Sequence, residues 1–301
     1  MQETLSKKKL YLWISDYSLN TGEGNLARIF LKYLNEKNEY SINISGNKKI
    51  FKYLSPFYGI LFCWKLFLKK KTVGYINYLP MWNFLIFLLL PPKTIIGPIT
   101  GGANYSNSIG LNFLVRSLIF PIFYKISELI ILIRFKNIIF STDLLKKYLF
   151  RKTIIKSKFN FVLKFFKIKK NKQKKIYDFL VYHRKHSNKI SSFPYKLIEK
   201  LSKLDLKINV IGDKLKLRNI KNFGYIGNKQ VKILQSKSKF TFASSENIYN
   251  LFTLECLANN VRIFVEKKYL NEIKFYKKSF IIVNYDNFNK FKKLIKNKYF
   301  K

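Results

Sequence analysis

Cysteine and histidine are nearly absent from this chain, whose 301 residues carry two of each. Cys63 and Cys256 stand far apart in apolar surroundings and read as core thiols, so no disulfide framework is expected and a reducing compartment is. His183 and His186 cannot join them in a zinc site at any familiar ligand spacing, and no metal is expected. Long apolar runs are missing too. Phe84–Leu90 and Ser117–Phe123 fall short of the ~20 residues a bilayer-spanning helix needs. Met1–Lys9 is polar and the next apolar run is only a strand long, so no signal peptide is read. Acid is the scarce charge, with 16 Asp plus Glu against 58 Lys plus Arg and a formal net charge of +42.

What is present is a folding sequence. At 48% hydrophobic and 17% aromatic, it has enough apolar material for one large core or two of about 100–150 residues each. The positive field attracts polyanions, whether nucleic acid or anionic lipid. No RNA-recognition signature, helix-turn-helix or zinc-finger spacing appears, so nucleic acid is not an expected partner. The basic residues accompany apolar stretches at Phe51–Lys71 and at Asn112–Phe135, where Arg116, Lys125 and Arg134 are interspersed. That pattern points to an anionic membrane surface as a partner. Abundant Lys, Ile, Asn, Phe and Tyr are equally what an A+T-rich genome yields.

Strand and helix patterns alternate along the chain. Leu10–Ser15 reads as a buried strand, followed by a loop containing Gly22 and Gly24 and a helical pattern from Leu26. Strand, glycine loop and helix open a Rossmann-like unit, although the glycines do not form GxGxxG, so a nicotinamide or flavin cofactor has little support. Val73–Asn77 and Thr94–Ile96 are strands, Trp82–Leu90 is an apolar helix, and a second glycine loop, Gly97–Asn104, contains Gly101, Gly102 and Asn104. Asn112–Phe135 reads as an interfacial amphipathic segment or as two core helices joined at Pro121. Asn137–Ser141 is a strand before a helix at Thr142–Leu149. The charge run Phe165–Lys175 marks a boundary, giving domains 1–165 and 176–301. Beyond it come strands at Tyr177–Tyr182, Lys207–Ile211, Asn222–Ile226, Phe240–Ala243, Arg262–Val265 and Phe280–Val283. Helices at Phe193–Lys203, Asn228–Ser236, Leu251–Ala258 and Phe288–Lys298 separate them. The class is α/β, with two Rossmann-like domains.

One corner stands out. Phe240–Ala243 runs through the polar loop Ser244–Asn247 to a helix that Asn250 can cap, placing Glu246 in the loop and Glu255 in the helix's first turns. In doubly wound folds such a corner lies at the carboxyl edge of the sheet, where ligands bind. The helix N-terminus favours phosphate, and a carboxylate accepts both hydroxyls of a ribose. Two surface glutamates on an ordinary helix would leave the same pattern.

Four signals in order give this half a resemblance to the donor-binding domain of the GT-B glycosyltransferases, in particular the group 1 nucleotide-sugar family. Arg184, with Lys189 five positions on, is similar to that family's GR-x-x-x-x-K. Asn209–Asp213 resembles its strand ending in IVGdG, Asn222–Gly227 (NFGYIG) its V-x-F-x-G strand, and SSEN…LFTLECLANNVRIFV its PSxxEGFGLxxxEAmAxGxPVV. His183 stands where the family has Gly, eight residues rather than seven separate Glu246 from Glu255, and Asn259-Asn260 replaces Ala/Cys-Gly.

The resemblance implies two domains facing each other across a cleft, and transfer of a sugar from a nucleotide-sugar co-substrate. Arg184, Lys189 and Glu246 would be catalytic. Gly22, Gly24, Gly212, Ser245 and Glu255 would bind the donor, and Gly101, Gly102 and Asn104 would line the acceptor side. It also implies no metal, since the Asp-x-Asp of metal-using glycosyltransferases occurs nowhere in the chain. The acceptor would be a glycan or lipid-linked glycan in surface-polysaccharide assembly, at the inner, cytoplasmic face of the cell membrane, with retention of configuration. A degenerate GT-B domain that binds nucleotide, glycan or a partner without transfer is the alternative.

Overall fold

The computed structural model describes residues 7–46, 54–101, 115–165, 173–185, 193–244 and 247–299. They form two compact units that divide between Phe165 and Phe166. Every strand pair in both is parallel. A parallel pair cannot close through a tight hairpin, so its strands are joined by crossovers, most of which lay a helix on the sheet.

In the first unit, β1 (Lys8–Ile14), β2 (Tyr40–Ser45), β3 (Thr72–Ile76) and, beyond β4 (Leu79–Pro80), β5 (Ile95–Ile96) form a sheet ordered β2-β1-β3-β5. Two short pairs extend the unit, β4 with β6 (Ile99–Thr100) and β7 (Ile138–Ile139) with β8 (Ser157–Lys158). The helix Gly22–Glu36 buries Ala27, Phe30, Leu31 and Leu34 at helical spacing. Its N-cap is Thr21, whose Oγ1 accepts the Gly24 N–H at 3.0 Å.

Pro121 sits in the first turn of the α-helix Phe120–Arg134, which continues directly from a π-helical turn at Val115–Ile119. Two local expectations need correction. Gly22 and Gly24 lie in the first turn of the helix Gly22–Glu36, not in the loop before it. Thr142–Leu149 is not an α-helix but a run of bends and turns ending in a 3₁₀ turn at Lys146–Tyr148. There Ser141 Oγ is committed to the Ile99 carbonyl at 3.2 Å, and Leu145 and Leu149 both reach the core from tight turns. One strand, β2, lies in a stretch with no apolar run. It is an edge strand without a fully buried residue, so apolar patterning does not reveal it.

In the second unit the strands are β9 (Tyr177–His183), β10 (Ile208–Gly212), β11 (Ile220–Gly224), β12 (Ser238–Phe242), β13 (Arg262–Glu266) and β14 (Phe280–Val283). Their order is β11-β10-β9-β12-β13-β14, so the first strand in sequence is central. Alternate residues of β9 serve opposite faces, Phe179 and Val181 in one core cluster and Leu180 in the other. Phe179, Phe240, Phe242 and Phe264 pack with ring centroids 5.2–6.0 Å apart, each contributing about 1.5–3 kcal/mol by burial.

Gly24 supplies the test of this packing. A Cβ there would stand 2.1 Å from the Ser18 carbonyl oxygen, a backbone atom with little room to yield. Helix propensity alone would make Gly24→Ala stabilising by about 1 kcal/mol. The clash, worth about 1–3 kcal/mol, outweighs it. A lowered urea midpoint is expected, and a raised one would refute this account of Gly24.

Candidate functional site

The order of the second sheet fixes where a ligand fits. From β9 the chain builds outward to β10 and β11, then crosses back to place β12 on the other flank of β9. Loops leaving β9 and β12 therefore part in opposite directions, and a crevice opens at their carboxyl ends. A pocket occupies that position, lined by Arg184, Phe193, Ala243, Ser244, Asn250 and Phe252 among others.

Arg184 follows the last residue of β9 and is exposed at the pocket. Its position depends on a hydrogen-bonded splice between the ends of β9 and β10. The Asp213 N–H donates to the His183 carbonyl at 2.9 Å. The His183 ring packs on Phe193, centroids 4.7 Å apart, with Nδ1 2.9 Å from the Asp213 carbonyl. A carbonyl only accepts, which assigns the proton to Nδ1. His183 is buried and works as a structural latch in the place of the resembling family's glycine. Gly212 is required beside it: its φ is +91°, and a Cβ would lie 2.2 Å from the His183 oxygen. The close approach made by Gly212 is to its own neighbouring strand. The Asp213 carboxylate accepts the Lys185 N–H at 2.6 Å. That bond, assisted by the Tyr225 hydroxyl, holds its pKa below the usual carboxylate range, and the Tyr225 hydroxyl is pushed up, chiefly by the same pairing.

On the β12 side, the Ala243 N–H donates to the Phe264 carbonyl at 2.8 Å. Asn250 caps the helix Leu251–Ala258 as its sequence suggests, with Oδ1 accepting the Thr253 N–H at 2.9 Å. Because Asn250 and Phe252 line the pocket, the positive end of this helix is presented to it. Among the described residues Glu255 is not part of the pocket lining, and its carboxylate accepts from Gln235 Nε2 at 3.3 Å. Burial raises its pKa, opposed by the Gln235 bond and the Lys232 charge. Lys189, Ser245 and Glu246 lie outside the described residues.

The first unit repeats the geometry with other chemistry. A small pocket at the carboxyl ends of β1 and β3 is lined by Asp16, Glu23, Ala27, Asn77, Tyr78 and Pro98. Two carboxylates there suit hydroxyl groups and repel phosphate. The loop before the helix is tied down by Arg28, whose Nη1 donates to the carbonyls of Tyr17 at 2.9 Å and Ser18 at 2.6 Å. Gly24 packs under that loop, where its close contact is with the Ser18 backbone; Gly22 is exposed at the helix start. Gly101 has φ +123° just past β6, and Gly102 and Asn104 lie outside the described residues. Among the described residues no group of three or more His, Cys, Asp or Glu converges as a metal site.

The sequence pattern did not single out Phe193, Phe252 or Tyr225. Each sits in a helix start or loop beyond a strand's carboxyl end, and that position is the signal that finds them.

No family model matches this chain, and no curated protein matches it. Solved structures do. UDP-GlcNAc 2-epimerase from Methanocaldococcus jannaschii has a TM-score of 0.55 at 14% identity over 97% of this chain and 93% of its own. The Anabaena protein Alr3699/HepE in complex with UDP and glucose gives 0.55 at 8% identity, over 96% and 90%. A glycosyltransferase from Rickettsia africae gives 0.52 at 12% identity, over 97% and 89%. At these identities the likeness is one of fold, and the fold is GT-B, an α/β architecture with parallel sheets.

Glu255 offers a test by titration. Folding raises its pKa, so the native state holds the proton more tightly than the unfolded chain. The stability this confers is fully present below the unfolded value of about 4.5 and is lost as pH rises through the folded value. Relative to wild type, Glu255→Gln should therefore gain stability as pH climbs out of the acid range. Urea midpoints at several pH values check this, and parallel curves would show that burial of Glu255 does not set its titration.

Proposed function

We propose that this chain is a glycosyltransferase that moves a sugar from a nucleotide-sugar donor to a glycan or lipid-linked acceptor. The observation that carries the proposal is the pocket at the β9/β12 reversal, which combines an exposed guanidinium with a helix N-terminus. In transfer the anomeric C–O bond to the diphosphate breaks and the electron pair leaves with the nucleoside diphosphate. Arg184, with Lys189 as its expected companion, neutralises that developing charge, so no divalent ion is required. The acceptor oxygen forms the new bond to the anomeric carbon, and its proton passes to the departing diphosphate oxygen. We take the reaction to retain configuration, to need no protein nucleophile, and to serve surface-polysaccharide assembly at the cytoplasmic face of the membrane.

One observation favours the reading of a degenerate GT-B protein that binds nucleotide, glycan or a partner without transfer. Glu255, the residue the resemblance assigns to the ribose, is engaged with Gln235 away from the pocket lining. UDP is the first nucleotide to try, because the Anabaena protein of similar fold is in complex with UDP and glucose. Titration calorimetry should show UDP binding that survives EDTA. Arg184→Ala should lower kcat/KM by a factor equivalent to about 2–4 kcal/mol, the scale of losing one preorganised charge partner. Strict dependence on a divalent ion would contradict the cationic mechanism, and UDP binding with no turnover of any UDP-sugar would favour the binding-only protein.

A further inference from the structure

The first unit wears part of its hydrophobic material on the outside. On the helix Phe120–Arg134 the residues turned inward include Tyr124, Ser127, Glu128 and Ile131, so a carboxylate and a hydroxyl are buried. Glu128 is held there by Lys125 at 3.2 Å and by the Phe150 N–H. The outward stripe is Ile122, Ile126, Leu129 and Ile133, spaced four, three and four apart, with Ile133 83% exposed. The usual helix pattern is inverted.

Two neighbours continue the stripe. The helix Phe84–Leu89 packs beside it through Phe84 against Phe123, ring centroids 5.4 Å apart, and Trp82 stacks on Phe120; Leu85 and Leu88 remain exposed. The helix Ser55–Leu68 joins through Trp64 Nε1, which donates to the Leu89 carbonyl at 2.7 Å, and it exposes Phe57, Leu61 and Leu68. Scattered exposed leucines are ordinary on a protein surface. Three adjacent helices sharing an apolar exterior are not.

Charge identifies what covers this face. No acidic residue occurs from Tyr40 to Ser127, and the next, Glu128, is buried. Lys65, Lys69, Lys70 and Lys71 are exposed at the end of the helix Ser55–Leu68, and Lys93 and Lys136 are exposed close to Arg134. Lys125 and Arg134 are not part of this rim, since they are committed to Glu128 and to the Leu90 carbonyl, at 3.2 and 2.6 Å. A second copy would bring its own lysines against these, which a protein of net charge +42 opposes. Among the described residues no helix is long and apolar enough to cross a membrane.

We propose that this three-helix face docks on an anionic lipid surface, with the isoleucines and leucines in the acyl boundary and the lysine rim among the headgroups. This deepens the peripheral-membrane part of the function proposed above, and it depends on no nucleotide contact. Vesicle co-sedimentation of the full chain tests it, using phosphatidylcholine alone and phosphatidylcholine with phosphatidylglycerol. Binding should require the anionic lipid and weaken as salt rises. The triple variant Leu61→Gln/Leu129→Gln/Ile133→Gln should lose at least about tenfold in vesicle affinity while UDP binding is unchanged, because insertion scales with apolar area. Lys65, Lys69, Lys70 and Lys71 changed together to Gln should lose a similar amount at low salt, and this set decides the matter if the triple variant fails to fold. The same change at Lys196, Lys277, Lys278 and Lys293 of the second unit should have little effect. Equal loss from that control set, binding that ignores lipid charge, or a wild-type dimer that the triple variant dissolves would each overturn the proposal. Failure of UDP binding with vesicle binding intact would count against the proposed function alone.

Discussion

The central strand β9 governs the second unit. It is buried on both faces and paired on both edges, and all its pairings are parallel. A first strand that ends up in the middle requires the chain to build outward twice, in opposite directions. The reversal cannot be covered by a connection, because the two crossovers that flank it depart to different sides. The opening at the ends of β9 and β12 is thus a consequence of topology, and packing of Phe179, Phe240 and Phe264 beneath it makes its floor rigid.

The polar groups around the opening follow from that rigidity. His183 and Asp213 stitch β9 to β10 through two bonds, so Arg184 leaves the sheet from a fixed point. The Asp213 carboxylate is satisfied by the Lys185 amide and Tyr225 beside the same strand ends. The corresponding opening in the first unit is lined by Asp16 and Glu23 instead. One fold motif used twice therefore presents two opposite local charges, one suited to phosphate and the other to hydroxyls.

Most of this architecture was legible in the residues. Strands such as Ile208–Gly212 and helices such as Leu251–Ala258 stand where periodicity puts them, because doubly buried parallel strands read as unbroken apolar runs and Asn250 is a strong cap. The failures have physical causes. β2 is an edge strand without buried residues, and Thr142–Leu149 has helical spacing that tertiary bonds override. At Gly24 and Gly212 the pattern is ambiguous in itself, because a close backbone approach to another strand or loop demands the same residue as an approach to a ligand. Glu255 shows the limit of motif position: a residue's place along a helix does not say whether its carboxylate turns toward the cleft or toward Gln235.

All three tryptophans, Trp13, Trp64 and Trp82, belong to the first unit, and the second contains none. Indole fluorescence is thus an optical label already confined to one half of the molecule. Trp13 is buried against Phe62, whereas Trp82 is partly exposed on Phe120 at the margin of the apolar helices. The chain carries its own spectroscopic separation: emission follows the first unit, while tyrosine absorbance and circular dichroism sum over both. Whether the halves melt together or in sequence is written into the difference between those signals, with no dye attached and no residue replaced.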